Sequence, residues 1–154
     1  MTSTPATRPV LPRFQRFLRR PWRDQELFIQ AYILLGLARL AINTVKFETL
    51  LRRLGASGFE TPAEVPLAHL VEARRIAWAV RSASRYTPWK SNCFPQAIAA
   101  KFLLRRRGIG STLYLGAAFK ARTELEAHAW LRCGPLYITG GAGYTHFGTV
   151  GIFG

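Results

Sequence analysis

An α+β fold follows from three features of the chain. Helical apolar periodicity fills the N-terminal part, and a helix apolar nearly all round follows it. Short alternating runs split by Gly and Pro then complete the chain, as strands of an antiparallel sheet. The architecture expected is N-terminal helices followed by a buried, cysteine-bearing helix packed on that sheet. A length of 154 residues suits one domain with a single core. Residues 24–154 read as that domain, and residues 1–23 as a basic, flexible N-terminal segment.

That segment carries six Arg and four Pro with no acid, and Phe14, Phe17 and Trp22 are interleaved among them. The first ten or so residues are expected to be disordered. Arg13 to Arg23 form a short basic segment of amphipathic character. From Asp24 to about Leu54 the pattern is helical, with Asp24 as the expected N-cap and Glu26 in the first turn. The run Leu27–Ile42 is strongly apolar but is interrupted by Gln30, Gly36 and Arg39. It falls short of the ~20 uninterrupted residues that span a bilayer, which favours a buried helix and leaves peripheral membrane contact open. Gly55, Ser57 and Gly58 end this helix or a second one after it.

A helix is expected from about Leu67 to Ser84. Leu67, Leu70, Val71, Ala77, Trp78 and Val80 supply its apolar side, and Arg74, Arg75, Arg81 and Arg85 its basic one. His69, near its start, reads as a surface or capping residue. After a loop holding Pro88 and Trp89, a helix opens at Cys93, with Pro95 in the first turn, where its missing N–H has no intrahelical partner. Arg105, Arg106 and Arg107 complement the dipole at its end, and Gly108 is the expected C′ residue. Strands are expected at Ser111–Phe119, Ala127–Arg132 and Leu136–Thr139. A further short strand is expected around Phe147–Phe153, in a tail holding six Gly.

The net charge of +14 comes from eighteen Arg and four Lys against seven Glu and one Asp. Such a field attracts nucleic acid, anionic lipid, phosphates or acidic peptides alike. The basic residues are spread over several helices and no nucleic-acid motif is present, so no nucleic-acid partner is expected. Neither a P-loop nor a GxGxxG occurs, and no cofactor is expected. Cys93, Cys133, His128 and His146 lack close metal-ligand spacing, so no metal site is expected. Two cysteines and no evident secretory signal point to the cytoplasm and to reduced thiols.

Chemistry concentrates on Cys93 and His128. A helix N-terminus stabilises an anion, and the thiolate is the nucleophilic form of cysteine. An imidazole brought in from a strand, here Ala127-His128-Ala129-Trp130-Leu131, can take and return a proton. A helix-start cysteine facing a strand histidine is the logic of papain-like and transglutaminase-like enzymes. The Cys93 backbone N–H is the expected oxyanion donor, with Asn92 and Gln96 in support. Trp130 is expected on the far face of its strand, and His146 has no evident partner. A transglutaminase-like acyl transferase and a non-catalytic, Arg-rich binding module are the competing readings.

The segments Asn92-Cys93-Phe94-Pro95-Gln96-Ala97, Leu103 through Ile109, Leu115-Gly116 and Ala127-His128-Ala129-Trp130-Leu131 resemble the lasso peptide biosynthesis B2 family. This is the transglutaminase-like cysteine protease of the microcin J25-processing type, and the resemblance covers roughly residues 24 to 150. It implies a leader peptidase that cuts a ribosomal precursor peptide at the leader–core junction, with Cys93 as nucleophile and His128 as general base. It also implies two partners: a separate leader-recognition B1 protein and a macrolactam synthetase, the C protein.

The family completes its triad with an aspartate on the strand after the histidine. The only Asp here is Asp24, far upstream, and the matching stretch Leu136–Gly141 has no carboxylate. The Thr139 hydroxyl is the expected orienting group. A backbone carbonyl, or no third group at all, is the alternative; Glu126 shares the strand face of His128 but is poorly placed to orient it.

Overall fold

The computed structural model describes residues 17–120 and 124–154. The expected disorder of the first ten residues and the start of the basic segment lie outside that range. Among the described residues, four named helices precede a four-stranded antiparallel sheet, the α+β order that the sequence predicts. The helices are α1 (Trp22–Thr44), α2 (Phe47–Leu54), α3 (Leu67–Ser84) and α4 (Cys93–Arg105). The strands are β1 (Thr112–Lys120), β2 (Glu124–Cys133), β3 (Leu136–Thr139) and β4 (Gly148–Phe153), in the order β3-β2-β1-β4. A 3₁₀ turn at Tyr144–His146 leads into β4.

The single apolar stretch expected over residues 24–54 is broken at Val45-Lys46 into α1 and α2. Asp24 is not the N-cap. Pro21 holds that position, and its carbonyl accepts from the Asp24 and Gln25 N–H groups at 2.9 and 3.2 Å. The Asp24 side chain instead meets Arg75 at 2.7 Å, and Arg75 also binds Glu72 at 2.7 Å. Glu72 in turn accepts from Arg107 at 2.7 Å. This chain of partly buried pairs ties α1, α3 and the end of α4 together.

Leu27, Ala31, Leu35 and Ala38 form the stripe that α1 buries. Ala73, Ile76, Ala77, Ala79, Val80 and Ala83 do the same for α3. Its small residues admit close helix packing, whereas Leu67 and Val71, expected on the apolar side, lie exposed in the first turns. Helix α4 is central. From Pro95 to Leu104 every residue but Gln96 and Phe102 is buried, as a helix enclosed by α1, α3 and the sheet must be.

Among its buried residues is Lys101, whose Nζ donates to the Ser111 and Phe153 carbonyls at 2.6 and 3.1 Å. That amine pins α4 to the start of β1 and the end of β4. Gly108 adopts φ +68° in the turn that follows α4.

In the sheet, Thr112 to Lys120 pair with Arg132 to Glu124, so Gly116 lies opposite His128. The hairpin strands run further toward their loop than the expected bounds at Phe119 and Ala127. Ala129, Leu131, Cys133, Leu113 and Ile138 point into the helical core. The alternate positions Tyr114 and Trp130 are buried on the other face.

Candidate functional site

The loop before α4 is built by side chains. Thr87 Oγ1 donates to the Ser84 and Trp89 carbonyls and shares a 2.8 Å hydrogen bond with Ser91 Oγ. Trp89 packs on Tyr32, with ring centroids 5.4 Å apart, and lies against Gly36, where a Cβ would stand 3.0 Å from its ring. Asn92 then turns extended as N-cap, and its carbonyl accepts from the Gln96 N–H at 3.3 Å. Its side chain makes no capping hydrogen bond.

Gln96 Nε2 donates to the Ser91 carbonyl at 2.7 Å. The side chain expected to support an oxyanion therefore spends one of its two N–H bonds on the loop that delivers Cys93. Cys93 itself is half-buried at the first helical position, packed against the edge of the core. Helix-start N–H groups lack intrahelical partners, so those of Cys93 and Phe94 are the donors nearest the thiol. Cys133, by contrast, is fully buried, and burial pushes its thiol pKa up.

His128 is held by the backbone. Its Nε2 lies 2.8 Å from the Gly140 carbonyl oxygen. A carbonyl only accepts, so Nε2 carries the proton and the neutral ring keeps its lone pair on Nδ1. The Phe147 ring stacks on the imidazole at 4.8 Å and 25°, and Trp130 at 5.9 Å and 25°. Trp130 thus shares the face of His128, and does not take the opposite face of the strand.

Two glycines make the arrangement possible. Gly140 sits at φ +67°, and a Cβ there would run into the Ala129 carbonyl and Trp130 Cα. At Gly116, opposite His128, a Cβ would stand 2.6 Å from the Trp130 ring and 2.9 Å from Phe147.

Thr139 is not the orienting group. Its side chain is buried on the helical side of β3, and Oγ1 has no hydrogen-bond partner among the described residues. The next residue supplies the partner through its main chain. Glu126 does share the face of His128 in the extended β2, without a hydrogen bond to it among the described residues. Beyond Trp130 the aromatic layer continues through Tyr144 and Tyr137, whose rings lie 4.5 Å apart. The hydrogen bond between the two phenols pushes Tyr137 up to about 12.

Cys93 lies eight residues before Lys101, about 12 Å along the helix. Gly116 and its partner His128 lie five residues beyond Ser111, about 16 Å along β1, which returns alongside α4. The two side chains are not joined in this state. Cys93 packs toward the core, His128 turns to the aromatic face, and no hydrogen bond links them among the described residues.

Sequence reasoning named Cys93 and His128 but did not place Phe147 or single out Gly140. The Gly140-Gly141 pair directly after β3 was the available signal, since a glycine is needed where a backbone closes on its neighbour.

The family model described as the transglutaminase-like superfamily matches residues 36–151. That span contains both Cys93 and His128. No curated protein and no solved structure matches the chain.

Proposed function

The chain belongs to the transglutaminase-like superfamily, and we propose that within it the protein is the cysteine leader peptidase of a lasso peptide pathway. The observation that carries this reading is an imidazole whose Nε2 is anchored to Gly140, leaving Nδ1 as the basic nitrogen, in a domain that also holds a half-buried helix-start thiol.

In the reaction, Nδ1 of His128 takes the Cys93 proton and Sγ attacks the carbonyl carbon of the leader–core peptide bond. The tetrahedral oxyanion accepts from the N–H groups at the start of α4. Collapse expels the core's amine, which takes its proton from the imidazolium, and leaves the leader as a thioester on Cys93. Water, deprotonated by Nδ1, then hydrolyses that thioester and restores the thiol. In this structure the thiol packs toward the core and the imidazole lies in the aromatic layer, so the Sγ–Nδ1 contact requires His128 to turn toward the start of α4 when substrate binds.

A separate leader-recognition protein delivers the precursor and a macrolactam synthetase consumes the freed amine; the positive charge of +14 suits an acidic leader. The test is mass spectrometry of the precursor peptide incubated with this protein, with and without the recognition partner. A cut at one junction, lost in Cys93→Ala, is the expected result. An intact precursor in every mixture would remove the peptidase reading, and a leader joined to an added amine would make the enzyme an acyl transferase.

A further inference from the structure

Helix α1 is apolar on two sides. Leu27, Ala31, Leu35 and Ala38 are in the core, whereas Trp22, Ile29, Ile33, Leu37 and Leu40 line the opposite side, each more than half exposed. With 100° per residue these five fall within one narrow stripe that runs about 27 Å from Trp22 to Leu40. Leu18 and Phe47 are similarly exposed at its two ends. The residues around those ends are mainly cationic, and all exposed: Arg19, Arg20 and Arg23 at one, and Lys46, Arg52 and Arg53 beside the single acid Glu48 at the other. Glu26 is the acid within the stripe, and it accepts from Gln30 at 2.9 Å. A contiguous exposed apolar ridge of this size marks a surface that meets something else.

We propose that this face of α1 docks the protein on the surface of an anionic phospholipid bilayer, with the helix lying in the interface. Charge complementarity selects that occupant. The ridge is aliphatic with a tryptophan at one end, its ends are basic, and the whole chain carries +14, the combination that anionic headgroups above an acyl interior attract. The helix is long and apolar enough to cross a membrane by length and composition. It lies on the membrane instead, because its other side is occupied by the core that α3 and α4 build.

Docking also fixes where the reactive thiol goes. Phe47, at the far end of the ridge, packs on Phe94, with ring centroids 5.8 Å apart, and Phe94 follows Cys93 directly. The α4 start would thus work close beside the lipid surface.

The experiment is co-sedimentation of the full chain with vesicles of phosphatidylcholine, and with vesicles in which phosphatidylglycerol replaces about a third of it. Binding to the anionic vesicles that weakens as salt rises is expected. The double variant Ile33→Asp with Leu37→Asp is expected to lose about tenfold or more in affinity. The variant Arg19→Glu with Arg23→Glu, which leaves the ridge intact, is expected to lose binding in low salt. Circular dichroism checks that both variants are folded. No association with anionic vesicles would overturn the proposal, as would affinity unchanged in both variants. A concentration-dependent dimer in sedimentation velocity that vanishes in Ile33→Asp/Leu37→Asp would also overturn it, by placing a second copy on the ridge.

Discussion

The two faces of the sheet are built from different chemistry. On the inner face Leu113, Ala129, Leu131 and Ile138 belong to one core cluster with the alanines and leucines of α4, a mainly aliphatic packing. On the outer face Tyr114, Trp130, Tyr137, Tyr144 and Phe147 form an aromatic layer that holds one imidazole, itself bound to a main-chain carbonyl. Aliphatic packing supplies stability from area and close fit. The aromatic layer fixes ring planes, and so can orient a group that moves protons. One strand, β2, serves both faces by alternation: its odd positions join the core and its even ones hold the candidate imidazole within the aromatic layer.

The sharpest way to break this division is on the outer face. His128→Ala is expected to cut peptide cleavage about 10³-fold, roughly 4 kcal/mol in transition-state terms, with a urea midpoint close to that of the parent. A large loss of stability instead would mean that the imidazole is a packing residue. On the inner face the order reverses. Leu131→Ala is expected to cost about 3 kcal/mol of unfolding free energy while the folded fraction cleaves at the parent rate.

A charge within the inner region sharpens the contrast. Burial lowers Lys101 to about 8 from its ordinary 10.5. Between those values the unfolded chain binds more protons than the folded one, so stability rises with pH across the window. The gain is about 2 kcal/mol, since the Ser111 and Phe153 carbonyls offset part of the desolvation. Urea titrations at pH 7.5 and at pH 10 check it, and Lys101→Met is expected to flatten the dependence.

The smallest effects separate Gly140 from its neighbour. Gly140→Ala is expected to destabilise by about 2 kcal/mol through its positive φ and the crowding against β2, and to lower kcat by freeing the imidazole. Thr139→Val is expected to stay within about 1 kcal/mol and leave kcat unchanged, because the hydroxyl it removes is unpaired. A Thr139→Val variant with the kcat loss expected for Gly140→Ala would return the orienting role to that hydroxyl.

Much of this arrangement was legible in the chain. The α+β order, the bounds of α3 and the opening of α4 at Cys93 followed from period, capping and the arginines after the helix. Three things were not legible, each for a physical reason. Position 24 carried the right residue for an N-cap, but the carbonyl of Pro21 starts α1 and the carboxylate is drawn to Arg75, a partner far along the chain. The ridge on α1 read as core because apolar periodicity does not say which of two apolar sides is covered. The partner of His128 was expected to be the Thr139 hydroxyl, with a backbone carbonyl as the alternative; the group present is the Gly140 main-chain oxygen, whose position no residue type reveals. The glycines around it were the trace that a close backbone approach leaves in sequence.

In the proposed reaction Cys93, and not Cys133, forms the acyl intermediate. Acid quenching of the enzyme during turnover of the precursor peptide, followed by peptide mapping by mass spectrometry, tests it directly. The expected result is a leader-derived thioester on the peptide containing Cys93, released by hydroxylamine and absent in His128→Ala. Continued cleavage by Cys93→Ala, or an adduct carried on Cys133, would contradict it.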